Sequence, residues 1–163
     1  MATAPADFGN LHNGDPRMGI LSRFFRPSRP TQRLARVLKP EHSGFFMSVA
    51  GEQYHQDHLR RISPGKLNDQ RRYDTARLIR EPANEHDANA VRIDVKGSPI
   101  GYLPSHNAET LAPSLDALAQ KGIAVECRVT YTGGSAGRNS IGATLGLSNQ
   151  AVGEINRHAG LRS

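Results

Sequence analysis

The sequence predicts a small, mostly β domain with some α-helix: a partly closed barrel of about six strands and one main helix. Short segments in which apolar and polar residues alternate recur along the chain, with turn residues between them, as is typical of strands. One longer segment repeats its apolar residues every three or four positions, as is typical of a helix. Strands of about five to eight residues with a single helix favour a small barrel that the helix covers at one end.

Four strands and a short helix are predicted before the main helix. In chain order they are a strand at 45–50, the helix at 56–62, and strands at 72–80, 90–96 and 99–103. In the third strand, Val91, Ile93 and Val95 alternate with charged side chains, so one face is apolar. The turn signal at 96–98 joins the third and fourth strands as a hairpin.

The main helix is predicted between Ser105, an acceptable N-cap, and Gly122, a helix stop. Its apolar face is formed by Ala108, Leu111, Ala112, Leu115, Leu118 and Ala119. Pro113 lies inside this pattern and lacks the N–H that a helix interior uses, so we expect the helix to be kinked or split there.

Two more strands follow the helix, at 125–131 and 143–147. The glycine-rich segment 132–140 between them is predicted to be a flexible hairpin loop, because it lacks the Lys-Ser/Thr ending of a phosphate-binding loop. Residues 149–163 are expected to be a short C-terminal tail or a fraying helix. The folded domain is therefore predicted to cover 44–148.

Residues 1–40 are predicted to be a disordered, basic, proline-rich arm. They hold seven Arg and Lys residues against two Asp residues, a net charge of +5. They also show little apolar periodicity, so the apolar surface that they could bury would not offset the conformational entropy lost on ordering. Residues 41–163 hold fourteen basic and thirteen acidic residues, a net charge of +1. The basicity therefore belongs to the arm, which is either a solvated tail or a segment that binds phosphates without sequence preference.

Several classes of protein do not fit this chain. No run approaches the ~20 apolar residues of a membrane span, and the N-terminus lacks a secretory signal, so we expect a cytoplasmic protein with no membrane partner. Cys127 is the only cysteine, so no intramolecular disulfide is possible, and its strand position predicts burial.

The sequence also favours a binding protein over an enzyme. His55 and His58 are spaced for ligation on a helix, but no further zinc ligand is evident. No serine lies in a Gly-x-Ser-x-Gly elbow. We therefore expect no metal, no cofactor and no catalytic residues.

Polar and aromatic residues flank the ends of three predicted strands. Tyr54 and His55 follow the first strand, His86 and Asp87 precede the third, and Tyr102 ends the fourth. If these strands are neighbours, the side chains meet at one barrel rim, where stacking and hydrogen bonding hold single-stranded nucleic acid. Alternatively, the tyrosines are half-buried barrel residues and Asp87 is a turn residue that binds its own backbone.

Three segments of the chain resemble the HIRAN domain over roughly 44–148. They are Val49-Ala-Gly-Glu-Gln-Tyr-His55, Arg80-Glu-Pro-Ala-Asn-Glu-His-Asp-Ala-Asn-Ala-Val91 and Ile100-Gly-Tyr-Leu103. The resemblance implies an OB-like barrel. It also implies binding of single-stranded DNA and of its 3′-hydroxyl end, as in the SNF2-type fork-remodelling helicases that carry this domain. Stand-alone members are bacterial or phage proteins.

The resemblance also implies a role for individual residues. Tyr54 matches the aromatic that stacks on the terminal base, Asp87 the acid that binds the 3′-hydroxyl, and His86 an aromatic beside that acid. Other positions depart from the pattern: Gln53 stands in place of an arginine, Tyr102 in place of a phosphate-contacting histidine, and Ser105 in place of a phosphate-binding lysine. Together with the rim pattern, this predicts a DNA-binding set of Gln53, Tyr54, His55, His86, Asp87, Tyr102 and Ser105.

The function predicted is a non-catalytic module that binds DNA, with a preference for single strands or 3′ ends. We expect a monomer that acts in DNA repair or replication beside a helicase or nuclease partner. The near-neutral charge of the domain keeps a second hypothesis open, in which the barrel groove binds another protein.

Overall fold

The computed structural model describes residues 36–41, 44–63, 73–135 and 138–161. In chain order the elements are β1 Arg36–Leu38, β2 Met47–Ser48, a 3-10 helix Glu52–His55, α1 Gln56–Ile62, β3 Tyr73–Arg80, β4 Val91–Val95, β5 Ser98–Tyr102, α2 Ser105–Gln120, β6 Ile123–Ser135, β7 Arg138–Leu145 and α3 Asn149–Ala159. Most of the predicted arm, residues 1–35, lies outside the described residues.

The strands form one curled sheet in the order β2-β7-β6-β3-β4-β5, and all neighbours in that order are antiparallel. β1 adds to the sheet by pairing in parallel with the first residues of β6. The predicted fold class, a mostly β, OB-like and partly closed barrel with helices, is confirmed. The predicted hairpin of β4 and β5 and the short helix α1 are also present.

The sheet closes through the backbone of two residues at its opposite ends. Ala50 follows β2 and Tyr102 ends β5, and these two strands are the outermost in the sheet order. The N–H of each residue donates to the carbonyl of the other at 2.8 Å. This pair of bonds, which we call the closure bridge, joins the ends of the curled sheet into the partly closed barrel.

Two side chains complete the edge of β7 beyond its pairing with β2. The side-chain amide of Gln56 donates to the carbonyl of Ile141 and accepts from its N–H, both at 2.9 Å, as the backbone of a neighbouring strand would. Glu52 Oε1 accepts from the N–H of Ala143 at 3.3 Å. Exposed strand edges invite pairing with other chains, and here the edge groups are satisfied internally.

The core lies between the curled sheet and the helices. Its largest fully buried side chains include Leu59, Ile93, Ile100, Leu111, Leu118, Leu145 and Ile155. The apolar phase of β4 and the apolar face of α2 both point into it, because each element buries the residues that its periodicity places on one side. None of the helices in the described ranges has the length and hydropathy that crossing a bilayer requires.

The start of the main helix differs from its prediction, and Pro113 does not divide it. α2 runs unbroken from Ser105 to Gln120, so of the two expected outcomes, a kink or a split, the split is excluded. Pro113 is exposed, and water can therefore satisfy the carbonyl one turn earlier that loses its N–H partner. Pro104 occupies the N-cap position, so Ser105 is the first helical residue and not the cap.

The ordered fold extends past both predicted boundaries. Arg36–Leu38, placed in the arm by the sequence, pairs with Ile123–Val125 of β6. Three residues carry no periodicity of their own, so only this partner defines them as a strand. The segment predicted as a tail or a fraying helix is α3, which buries Ala151, Ile155 and Ala159. Ser148 is its N-cap, and the Ser148 Oγ accepts from the Ala151 N–H at 3.2 Å.

The predicted glycine-rich loop is mostly strand. β6 continues to Ser135 and β7 begins at Arg138, with a register shift between Gly133 and Ser135. Gly133 and Gly134 have φ values of 87° and 74°. Glycine takes such angles without strain, so these residues serve a β-bulge in a hairpin and do not form an open loop.

The closure bridge depends on Gly101, which precedes Tyr102 and has a φ of 147°. A Cβ at this position would overlap the carbonyl oxygen of Ala50 and the side chain of Val49. We expect Gly101→Ala to lower the free energy of unfolding by about 3 kcal/mol or more, through both strain and clash.

Gly97 provides the matched control for Gly101. Its φ is also positive, at 81°, but a Cβ there would meet nothing within 4 Å. Gly97→Ala should therefore cost only the conformational strain, about 1–2 kcal/mol. Urea unfolding of the two variants measures the difference, and equal losses would show that the close approach at the bridge does not matter.

Candidate functional site

A groove of about 340 Å³ opens beside the closure bridge, between the turn that precedes β4 and the first turn of α2. Six residues of the predicted set line it: Tyr54, His55, His86, Asp87, Tyr102 and Ser105. Gln53 is exposed on the adjoining 3-10 helix and is not part of the lining. The structure therefore brings together all but one of the residues that the sequence analysis proposed. Their function remains a prediction.

The closure bridge positions Tyr54 at the groove. Gly51 follows Ala50 with a φ of 81° and turns the chain into the 3-10 helix, whose first bond runs from the Tyr54 N–H to the Gly51 carbonyl at 3.1 Å. Tyr54 is 82% exposed. Its ring is therefore held on an ordered turn while remaining accessible to a planar ligand.

The polar turn between β3 and β4 is ordered by its own side chains. Asn84 Oδ1 accepts from the N–H groups of His86 and Asp87 at 3.0 and 3.3 Å, and Asp87 Oδ1 accepts from the Asn89 N–H at 2.8 Å. This last bond is the turn contact that Asp commonly makes. Asp87 Oδ2 has no hydrogen-bond partner among the described residues, so one oxygen orders the turn and the other is available to a ligand.

Arg80 anchors this turn to α2. Its guanidinium binds both carboxylate oxygens of Asp116 at 3.1 Å and also donates to the carbonyls of Ala88 and Ala90 at 3.1 and 2.8 Å. Only 11% of its side chain is exposed. The sequence analysis quoted Arg80 as the start of a motif but gave it no role, because its partner Asp116 lies far away in the chain.

Tyr102 is tied to a second network behind the groove. Its hydroxyl donates to Glu81 Oε2 at 3.1 Å, and Glu81 also pairs with Arg92. Arg92 in turn binds Asp94 through two bonds of 2.8 and 3.1 Å. Burial raises the pKa of the Tyr102 phenol, and the hydrogen bond to the Glu81 carboxylate raises that pKa further.

The groove offers little positive charge. The described residues that line it include the Asp87 carboxylate but no Lys or Arg. The two nearest guanidinium groups of these networks, Arg80 and Arg92, are already paired with carboxylates. The hydrogen bonds to Asp94 favour the charged form of Arg92 and raise its pKa, which keeps it in the network. The groove is therefore better suited to an uncharged donor than to an anion.

Two other candidate groups have structural roles. His58 donates from Nε2 to the carbonyl of Val95 at 3.0 Å, which uses one nitrogen of the suspected His55/His58 pair. Within the described ranges, no three His, Cys, Asp or Glu side chains are clustered as a metal site requires. Cys127 is buried, and this burial raises its pKa to about 12, so the thiolate does not form near neutral pH.

Comparison with known proteins identifies the family. The model of the HIRAN domain family matches residues 43–148 of this chain. The chain belongs to the HIRAN domain family.

The solved structures include a similar chain, described as the crystal structure of the HIRAN domain of human HLTF. It shares 19% sequence identity over 71% of this chain and 88% of that one, with a TM-score of 0.36. A search of curated proteins finds no match. Membership of the HIRAN family supports a DNA-binding role.

The raised pKa of Tyr102 predicts a pH-dependent contribution to stability. A pKa that is raised in the folded state contributes stability below the ordinary phenol value of 10.0, and this contribution is lost as the pH rises above that value. We expect Tyr102→Phe to cost about 1 kcal/mol at neutral pH, because the bond to Glu81 is lost. The difference between wild type and variant should shrink above pH 10, as measured by urea unfolding.

Tyr54→Phe is the control for this measurement. The exposed Tyr54 hydroxyl makes no hydrogen bond with the described residues, so its removal should leave the unfolding free energy unchanged at either pH. A constant difference between wild type and Tyr102→Phe across the pH range would contradict the role given to the Glu81 bond.

Proposed function

We propose that this HIRAN domain binds single-stranded DNA and receives its 3′ end in the groove beside the closure bridge. The proposal depends mainly on one juxtaposition: the exposed ring of Tyr54 and the partly engaged carboxylate of Asp87 line the same groove. An aromatic ring can stack on any base, and a carboxylate accepts a strong hydrogen bond from a hydroxyl. Together they match the base and the 3′-hydroxyl of a terminal nucleoside.

The charges around the groove favour a hydroxyl over a phosphate at this end. Asp87 would repel a terminal phosphate, and the Tyr102 hydroxyl already donates to Glu81. Among the described residues, the lining has no Lys or Arg to compensate. A 3′-hydroxyl, in contrast, donates a hydrogen bond and adds no charge. Ser105, in the first turn of α2, and His55 and His86 remain as polar groups for the adjoining sugar and phosphate.

The domain is proposed to be a non-catalytic, monomeric module. Chemistry on the bound strand would come from a partner such as a helicase or nuclease of DNA repair or replication. The net charge of +5 in residues 1–40 would add affinity that does not depend on sequence. We propose the cytoplasm as its location.

A second candidate function is binding of another protein in the same groove. Within the described part of the chain the lining has no Lys or Arg, which favours this function, together with the apolar contributions of Ala50, Leu103 and Pro104. The two functions differ in salt dependence. DNA binding weakens steeply as salt rises, since bound counterions are released from phosphates, whereas an apolar contact with a protein does not.

Tyr54 provides the first test of DNA binding. Tyr54→Ala should weaken binding of a single-stranded oligonucleotide by about 1–3 kcal/mol, the value of one base–aromatic stack. Tyr54→Phe should retain most of the affinity, because the ring does the stacking. Fluorescence anisotropy measures both, and circular dichroism confirms folding. Equal loss in the two variants would argue against stacking.

Asp87 provides the test of end recognition. Wild type should bind a 3′-hydroxyl oligonucleotide more tightly than the same oligonucleotide with a 3′-phosphate. Asp87→Asn keeps an oxygen that can accept from the Asn89 N–H, so the turn should remain intact. The substitution removes the charge, and with it both the charge-assisted bond and the repulsion. We therefore expect the ratio of the two affinities to fall towards one.

Glu85→Gln is the matched control for this experiment, since Glu85 is an exposed carboxylate in the same turn. Its removal should leave the hydroxyl-to-phosphate ratio unchanged. If Asp87→Asn also leaves the ratio unchanged while Asp87→Ala lowers stability, Asp87 is only a turn residue and end recognition by this groove is refuted.

A further inference from the structure

A second cavity, of about 460 Å³, lies between β2, the first turn of α2 and the start of α3. The side chains that carry the argument are Phe46, Ser48, Asn107, Ser148, Asn149 and Gln150. The sequence analysis assigned no role to any of them. Two of them belong to α3, which follows the last residue matched by the family.

The chemistry of this cavity is neutral and rich in hydrogen-bonding groups. None of the described residues that line it carries a charged side chain, so these residues offer nothing to neutralise an ion or a phosphate. Asn107, Asn149 and Gln150 each present a donor and an acceptor, and their side-chain amides make no hydrogen bond with the described residues. Side-chain amides of this kind match the mixed donor and acceptor edges of nucleobases.

The start of α3 is not itself an anion site. Ser148 already caps the helix by accepting from the Ala151 N–H. The amides of Asn149 and Gln150 therefore matter here as neutral hydrogen-bonding groups beside an aromatic ring.

Phe46 adds a stacking surface to these amides. It is 65% exposed, which is unusual for a phenylalanine in a folded domain. Its ring fills the space that a Cβ on Gly44 would occupy, so it packs against the backbone there. An exposed ring that is held in place offers stacking at a small cost in conformational entropy.

The second cavity and the first groove are lined by neighbouring residues of the same two chain segments. The chain from Phe46 to Ser48 lines the second cavity, and Ala50 and Gly51 line the groove. In α2, Ser105 lines the groove and Asn107 the cavity. Extended chain advances ~3.3 Å per residue, so the two sites are separated by roughly 10 Å along this segment. One DNA strand would cover that distance within a few nucleotides.

We propose that the second cavity is a base-binding subsite for an upstream nucleotide of the strand whose 3′ end occupies the groove. Phe46 stacks on this base, and the amides of Asn107, Asn149 and Gln150 bind its edge. The inference rests on the proposed function, because it needs a strand already placed by the groove. It adds to that function a ligand length that is needed for full affinity and a contribution from the side-chain amides of α3.

Ligand length tests the proposal on the full chain. A series of 3′-hydroxyl oligonucleotides should run from below the ~4-nucleotide lower limit of OB-fold site sizes to about 12 nucleotides. Wild type should gain affinity stepwise once the strand reaches the second cavity. Phe46→Ala should remove that gain, roughly 5- to 100-fold, and leave the shortest ligands unaffected. Phe46→Tyr should restore the gain.

A second pair of variants tests the amides without altering the ring. Gln150→Ala should reduce the gain of the long ligands and not the affinity of the short ones. Gln120→Ala, an exposed glutamine at the other end of α2, is the matched control and should change neither. Urea unfolding checks that each variant is folded.

The outcomes separate the two proposals. Failure of wild type to bind any oligonucleotide overturns the proposed function and this inference together. Binding that is unaffected by Phe46→Ala at every length, or weakened equally for short and long ligands in a folded variant, overturns the subsite alone. Binding of a peptide instead of the longer oligonucleotides would assign the second cavity to a protein partner and also overturn it.

Discussion

Two backbone hydrogen bonds between Ala50 and Tyr102 close the barrel and position the groove beside them. They join the outermost strands of the curled sheet, and both chain segments continue directly into the groove. On one side, Gly51 turns the chain so that Tyr54 is presented to solvent. On the other, the Tyr102 side chain reaches Glu81 in the polar turn. The same two bonds therefore close the barrel and position the groove. They bring the backbone of Ala50 so close to Gly101 that a side chain there would clash with it.

Most of the charged side chains around the groove are paired with one another and hold its turn in place. Arg80 is bound by Asp116 and two turn carbonyls, and Arg92 is bound by Glu81 and Asp94. A buried or half-buried guanidinium that is paired in this way contributes to order more than to attraction of a distant phosphate. In the proposed function, recognition in the groove therefore rests on stacking by Tyr54 and on the second oxygen of Asp87. The proposal assigns long-range attraction of DNA to the net charge of residues 1–40.

The sequence was informative wherever a local pattern determines structure. The alternation in β4 and the helical repeat of α2 needed no knowledge of the partners of these elements, and polar residues at the ends of predicted strands indicated the rim.

Prediction failed where the structure of a segment depends on a partner that is distant in the sequence. β1 is a strand only because it pairs with Ile123–Val125 of β6. The glycines of the β6–β7 hairpin were predicted to form a loop because a glycine-rich loop and a β-bulge have the same composition. Within the site, the role of Arg80 depends on Asp116 and that of Glu81 on Tyr102, and neither pairing has a local signal. Gln53, assigned by resemblance, lies outside the groove lining because the 3-10 helix places it on another side of the turn.

The segment matched by the family and the folded unit do not coincide, and this bears on how function is distributed. The match ends at residue 148, yet α3 buries three apolar residues in the core, and Ser114 of α2 donates to Asn156 at 2.6 Å. Lys121, directly after α2, binds the last carbonyls of α3 at 2.8 and 3.1 Å, where a cation also favours the negative end of the helix dipole. α3 is thus fixed at several points, and its first residues are held beside Phe46.

The groove near Asp87 is lined by residues inside the segment that the HIRAN family model matches, whereas the second cavity is lined in part by Asn149 and Gln150, which lie outside that segment. If both proposals hold, the terminal nucleotide is bound by residues inside the segment that the family model matches, and the upstream nucleotide is bound in part by residues outside it.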